Sequence, residues 1–288
     1  MLSTLNYHWQ SKRLSFHRRR AQHDFGIFRS FVDYMNAAGH PVRGERVLDV
    51  GCGFRFPTTL LMHTFGAKVT GIDLDFAAPQ VPLSNLLADV RDRGLMEGAR
   101  RFVRELYYKP VYFKTLEQEM GNKLNYEGLD LRRVRIEDFQ AEGEFDIVFS
   151  NHAFEHLADV DGAVRTISRS LKPQGLAYIA FHLFTSLTGG HDVMSIHGTP
   201  TVFFRSGGYP WRHLRDAKWR PSVYLNRWRE HQYRETFEKH MRVLDWRGQF
   251  WEPEEFLTDT TLRSLQGYSR DELLKRTLLV VAAPKVNA

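Results

Sequence analysis

The chain has 288 residues, a net charge of +6 and 42% hydrophobic residues, a profile of a folded globular protein rather than a fibrous or disordered one. Its single cysteine, Cys52, excludes an internal disulfide framework, so a reducing, cytoplasmic setting is expected. No stretch reaches the roughly 18 apolar residues of a membrane span, and the basic opening MLSTLNYHWQSKRLSFHRRR lacks the apolar centre of a signal peptide.

Residues 6–39 read as an amphipathic helix, with Phe25, Phe28, Phe31, Val32 and Met35 at three- and four-residue spacing. RVLDVG is a short apolar strand, followed by a glycine turn and the helix PTTLLMHTFG, in which Pro57 suits the first turn. AKVTGIDLD is a second strand, which makes a β-turn-α-β unit. Residues 79–123 exceed the length of one crossover helix and are expected to form an enlarged, basic, aromatic insertion. LNYEGLD is the third strand, EFDIVFS a fourth buried on both faces, ADVDGAVRTISRSLKPQG a helix stopped by Pro173 and Gly175, and LAYIAFHL the fifth strand. MRVLDW and TLLVVAAPK are the last two strands. EPEEFLTDTTLRSLQGYSRDELLKR between them is helical with a break at Gly267.

The pattern implies one α/β domain over 1–288, a Rossmann-like, doubly wound sheet of seven strands with helical insertions. An N-terminal helical segment, 1–40, precedes it, and the insertions 79–123 and 183–239 face the substrate. The second insertion has weak periodicity and concentrates Arg212, Arg215, Arg220, Arg227, Arg229 and Arg234 beside Trp211, Trp219, Trp228, Tyr209, Tyr224 and Tyr233. Such a surface suits a phosphate-bearing, sugar or nucleic-acid partner, or it is a solvated face around a small aromatic core of its own.

VLDVGCGFRF, residues 47–56, places two glycines between a strand and a helix. Small residues there let a ligand approach the main chain, and N–H groups at a helix start favour an anionic group. Asp73 closes the next strand 22 positions after Gly51, near the spacing at which an acid grips a ribose diol. A nicotinamide dinucleotide fits less well, because Phe56 stands where that fingerprint wants a small residue.

LDVGCG, VTGIDLD, EFDIVFSNHAFEHL and LKPQGLAYI, in this order across residues 45–182, resemble the motifs of the class I S-adenosylmethionine-dependent methyltransferases of bacteria. Gln174 departs from their usual L-K-P-G-G, and both insertions lie outside the resemblance. It implies S-adenosylmethionine as cofactor. Asp49, Gly51, Cys52 and Gly53 would hold its methionyl end, Asp73 its ribose and Leu74 its adenine. Asp130, which ends LNYEGLD, would meet the adenine amino group, with Asp138 as the alternative. Asn151 and His152 would face the methyl group.

A hydroxyl acceptor must lose a proton, and histidine suits that near neutral pH. The candidates are His191, on the SLTGG turn, with His182 at the fifth strand's end behind it, and then His152; His156 is a fourth. HAFEH also puts His152, Glu155 and His156 on one helical face, where a distant histidine would complete a metal site. The stretch equally fits metal-free relatives, and no metal is expected. The layout also looks like bacterial enzymes that methylate sugars or surface polysaccharide. The expected function is therefore O-methylation of a sugar, glycan or related small molecule. An RNA methyltransferase and a non-catalytic, cofactor-binding partner subunit are the alternatives.

Overall fold

The computed structural model describes residues 14–74, 109–191, 204, 207–221 and 223–285. They fall into two compact units, 11–135 and 136–288. Residues 6–13 of the expected first helix, most of the insertion 79–123 and part of 183–239 lie outside the described residues.

The first unit opens with α1 (Leu14–Ala37), which buries His17, Ala21, Asp24, Phe28, Phe31, Val32 and Met35 along one stripe. The stripe follows the three- and four-residue spacing of the sequence, but two polar side chains belong to it and Phe25 sits at its edge. β1 (Arg46–Val50), α2 (Pro57–Phe65) and β2 (Lys68–Asp73) form the β-α-β unit, with β1 and β2 parallel and Val47 opposite Val69. Pro57 opens α2, and Gly66 closes it at φ 105°. The edge of Phe28 on α1 meets Phe65 on α2 at 5.7 Å. Helical residues 109–120 form α3, and β3 (Asp130–Arg133) then lies parallel to β2.

β3 corrects one expectation. The strand begins at Asp130 instead of ending there, because LNYEGL runs as turn and loop through Gly128 at φ 71°. Asp130 pairs with Thr70, and Arg133 is the residue opposite Asp73. In parallel strands this puts Asp130 three residues back from the carboxyl edge.

The second unit holds β4 (Phe145–Asn151), α4 (Val160–Ser170), β5 (Leu171–His182), α5 (Arg212–Arg215), α6 (Glu230–His240), β6 (Met241–Trp251), α7 (Asp259–Ser264), α8 (Arg270–Leu274) and β7 (Lys275–Pro284). β4 and β5 are parallel, with Phe149 opposite Tyr178. β7 is antiparallel to both β5 and β6. The order is β3-β2-β1 in one unit and β4-β5-β7-β6 in the other, seven strands among the described residues. This is the expected α/β class. α4 is capped by Asp159, whose carboxylate accepts from the N–H of Gly162 at 2.8 Å. β5 starts earlier than LAYI suggests, because residues 172–175 bulge out between the pairs Phe145–Leu171 and Ile147–Leu176.

The region after β5 is more ordered than its weak periodicity implied. α6 lies inside it and buries Tyr233, Thr236 and Phe237 at helical spacing. Trp211 is fully buried among Leu187, Phe204, Phe256, Leu257, Leu265, Leu273 and Leu274, and its indole N–H donates to the Thr185 carbonyl. Two of the insertion's aromatics, Trp211 and Tyr233, are therefore core residues. SLTGG, residues 186–190, is a packed turn: its residues are buried, and the Thr188 N–H and hydroxyl both donate to Glu252. A Cβ on Gly189 would stand 2.3 Å from the Leu183 carbonyl oxygen and 2.5 Å from that of Phe184. Main chain on two sides cannot yield cheaply. Gly189→Ala is expected to lower stability by about 1–3 kcal/mol or more, read as a fall in the midpoint of urea denaturation.

Candidate active site

β1 delivers the glycine turn to the carboxyl edge of the first unit. Gly51 and Gly53 take φ of 71° and 75°, and Phe56 takes 38° just before α2. Left-handed backbone explains the glycines directly, since a Cβ there is strained. The N–H groups of Gly51 and Cys52 both donate to the Ile72 carbonyl, at 2.9 and 3.1 Å. The turn is thus laced to β2, and these two N–H groups are engaged with main chain, contrary to the expectation that they face a ligand. The Gly53 N–H donates to Asp73 Oδ2 at 2.8 Å. The structure therefore joins the glycine turn to the acid that the sequence placed 20 residues after Gly53. Among the described residues, a Cβ built on Gly53 meets nothing within 4 Å, so they leave open space beside that glycine.

The other acidic and cofactor-binding candidates divide. Leu74 follows Asp73 and is 55% exposed, a large apolar side chain presented at the strand end. Asp49 is buried and accepts from the Thr59 hydroxyl at 2.6 Å, which braces β1 against α2. Burial pushes its carboxyl up to about 7; the Thr59 hydrogen bond opposes this and the Asp73 charge adds to it. Cys52 is buried, and burial, helped by the charges of Asp49 and Asp73, raises its thiol far above the usual range. A thiol so held is not a nucleophile. Asp130 is committed elsewhere: Thr70 and Arg132 both donate to it. Burial opposes the lowering of its carboxyl pKa, but those hydrogen bonds and the Arg132 charge prevail. Asp138 lies in the 3-10 turn Ile136–Asp138 after β3 and is exposed.

In the second unit, β4 ends at Asn151, opposite Ala180 of β5, and His152 turns away at φ 56°. A single 3-10 turn, Phe154–His156, carries Glu155 and His156, so the expected helical face is replaced by a tighter bend. His182 ends β5 and His191 follows the packed turn at φ 53°. All the histidine candidates converge. Ring centroids lie 4.6 Å apart for His152 and His182, 5.4 Å for His182 and His191, and 4.9 Å for His156 and His191. Glu155 sits among them, 3.8 Å from His152 Nδ1 and 3.9 Å from His191 Nε2.

The protonation pattern follows from fixed donors and acceptors. Arg276 Nε donates to His182 Nε2 at 3.1 Å, and a guanidinium only donates, so the His182 proton is on Nδ1. That N–H points to His191 Nε2 at 3.4 Å. Burial first, and then the charges of His152, Arg276, His191 and His156, hold His182 well below the usual imidazole range. For Glu155, burial alone would raise the pKa; the imidazoles around it, His152 first at 3.8 Å and then His156 and His191, outweigh that and hold it below the usual range. Its carboxylate is therefore ionised in the interior. His152 has the more open ring, 31% exposed against 10% for His191. The turn under Glu155 is clamped from the insertion: Asn226 donates to the carbonyls of Phe154 and Leu157, and Tyr233 donates to Asn226.

Two participants gave no local signal. Arg276 meets His182 across 94 positions of sequence, and Asn226 meets Phe154 across 72. Many arginines of the basic insertion are engaged within the protein. Arg212 pairs with Asp216, Arg229 with Glu272 and Arg234 with Glu238, while Arg215 lies 4.3 Å over the Tyr209 ring. Arg227 lies 5.9 Å from both Phe184 and Trp219. Among the described residues no helix is long and apolar enough to cross a membrane.

A family of methyltransferase domains matches residues 18–252. A malonyl-[acyl-carrier protein] O-methyltransferase of Calditerrivibrio nitroreducens is 31% identical over 88 residues, 30% of this chain and 35% of that protein. A ubiquinone biosynthesis O-methyltransferase of Thiobacillus denitrificans is 30% identical over 142 residues, 49% of this chain and 45% of that protein. The chain thus spans less than half the length of these curated relatives. A solved S-adenosylmethionine-dependent methyltransferase from Mesorhizobium loti superposes with a TM-score of 0.44 at 16% identity, covering 84% of this chain and 91% of that one. At that score the superposition carries no argument of its own.

The Asp49 environment sets a pH dependence. A carboxyl raised from its ordinary 3.8 to about 7 keeps its proton in the folded chain while the unfolded chain has lost it. The unfolded state then binds fewer protons, so stability falls as pH rises between about 4 and 7. Asp49→Asn removes this dependence, and its stability relative to the parent chain is expected to increase across that interval when urea midpoints are compared.

Proposed function

The chain belongs to the methyltransferase-domain family that its residues 18–252 match, among the class I S-adenosylmethionine-dependent methyltransferases, and on that premise we propose that it methylates an oxygen of a hydroxyl-bearing small molecule. The observation that carries this reading is the 2.8 Å hydrogen bond from the Gly53 N–H to Asp73. It brings an acid to a left-handed glycine turn with open space beside Gly53 among the described residues, which fits a nucleoside donor.

In this reading Asp73 takes the ribose hydroxyls and Leu74 covers the adenine. The turn at Gly51, Cys52 and Gly53 receives the ammonium of the methionyl end on its carbonyls, because its three N–H groups are engaged within the chain, with Asp49 acting through Thr59 to hold the turn in shape. Asp130 is tied to Thr70 and Arg132 and is not proposed for the adenine amino group. S-adenosylmethionine held there would supply an electrophilic methyl group on a sulfonium.

The histidine cluster serves the acceptor. His182 has its lone pair on the Arg276 donor, and His191 turns its Nε2 toward Glu155 and His182. His152 is therefore the better base, with Glu155 facing its Nδ1 and its more exposed ring free to take the hydroxyl proton at Nε2. This reverses the order expected from sequence, which put His191 first. Both relatives described above are named as O-methyltransferases, which supports an oxygen acceptor. Tyr224 contacts His156 through its carbonyl, and its exposed ring is proposed as a stacking surface for a sugar or another flat acceptor. With the insertion's arginines largely engaged inside the protein, an RNA acceptor gains no support.

Calorimetry with S-adenosylhomocysteine tests the donor half. Asp73→Ala is expected to weaken binding by about 10- to 100-fold, and unchanged affinity overturns the placement of the ribose. Methyl-labelled donor supplied to fractionated cell extract tests the acceptor half. His152→Ala is expected to slow transfer by roughly 10²- to 10⁴-fold while leaving S-adenosylhomocysteine affinity in place.

A further inference from the structure

Glu155 and His156 are neighbours on the turn after β4, and His191 follows the packed turn after β5. Ligand-capable atoms of these three residues all lie within 4.8 Å of one another. We infer that Glu155, His156 and His191 form a binding site for one divalent transition-metal ion beside the acceptor base His152. This runs against the sequence expectation of no metal.

The tautomers select this trio from the cluster. His156 Nδ1 lies 2.8 Å from the Tyr224 carbonyl oxygen, which only accepts. The proton is therefore on Nδ1, and Nε2 presents a bare lone pair. A ring nitrogen held by a carbonyl while the other faces the ion is the common arrangement of metal-binding histidines. His182 also lies near Glu155, but Arg276 forces its proton onto Nδ1, the nitrogen facing His191, so it is a neighbour of the site and not a ligand. The His182–His191 contact, 3.4 Å, is at the long limit of a hydrogen bond and yields to an ion.

Glu155 is the second, independent observation. It is 2% exposed, and its Oε2 has no hydrogen-bond partner among the described residues. A carboxyl oxygen left bare in the interior is costly, and a cation answers that cost. Its other oxygen is engaged by the His182 main-chain N–H. His191 is held at φ 53° by a turn that has no room for a Cβ at Gly189, and such backbone strain is characteristic of ligand sites. Two imidazoles and one carboxylate with further positions open suit zinc, cobalt or manganese over magnesium or calcium. A cation there lowers the pKa of an acceptor hydroxyl and eases the proton onto His152.

The inference rests on the cluster as the acceptor site, but it is tested without turnover. The untagged full chain, stripped with chelator, is titrated with Co(II) and followed by visible absorption and calorimetry. One equivalent with ligand-field bands is expected. His156→Ala and Glu155→Gln are expected to weaken binding by more than about a hundredfold, beyond what supporting partners contribute. Because Glu155 is buried, circular dichroism of both variants accompanies the titration; His156, half-exposed, keeps the test decisive if Glu155→Gln fails to fold. No stoichiometric binding to the parent chain, or equal affinity in a folded His156→Ala, overturns the inference. S-adenosylhomocysteine titrated into the same samples separates the readings: its binding without cobalt binding sinks the metal site alone, and cobalt binding without it sinks the donor reading alone.

Discussion

An ionised carboxylate taken out of water costs several kcal/mol unless charge and hydrogen bonds surround it. Glu155 imposes that constraint on the second unit. Its neighbours answer it in layers. The His182 main-chain N–H donates to one oxygen, and the imidazoles of His152, His156 and His191 approach within its field. Around these, Arg276 sets the tautomer of His182, the Tyr224 carbonyl sets that of His156, and Asn226 clamps the turn that carries Glu155. A change to the charge at Glu155 alters every ring in contact with it. The insertion after β5 is therefore part of the site's support, holding the β4 turn from outside through a few main-chain contacts.

The glycine turn is governed by geometry more than by charge. Gly51 and Gly53 are needed for left-handed backbone, and their turn is sewn to β2 through the Ile72 carbonyl and Asp73. This lacing holds the turn and the acid in register without help from a side chain at 51 or 53. Asp49 contributes from below, through Thr59, which anchors the first turn of α2 to β1. The raised proton affinity of Asp49 is the consequence of placing a carboxyl where water cannot reach it, with the Asp73 charge nearby and the Thr59 hydrogen bond opposing.

Some expectations failed for physical reasons that the residues make plain. Asp130 was placed at a strand end because apolar LNY looked like strand, yet Gly128 turns the chain and the strand starts two residues later. β5 continues through a proline because residues 172–175 bulge away from β4, so Pro173 owes the ladder no hydrogen bond. α6 was hidden by the charged residues around Tyr233, Thr236 and Phe237, whose spacing alone would have marked it. The insertion's aromatics suited either a binding surface or a core of their own, and Trp211 and Tyr233 are core, a choice composition does not make because it does not distinguish a buried ring from an exposed one.

By itself the sequence determined the β-α-β opening, the positions of the glycine turn and Asp73, the β4 and β5 ends, and the set of histidines near them. Those follow from local rules: periodicity, the left-handed preference of glycine, and the short reach of a turn. Only the tertiary structure decided that Asp73 meets the Gly53 N–H, that Asp130 is spent on Thr70 and Arg132, and that four histidines gather around Glu155 with Arg276 behind them. Hydrogen bonds and electrostatic fields act across space, between residues up to 94 positions apart, and no local pattern in the chain encodes which donor will face which acceptor.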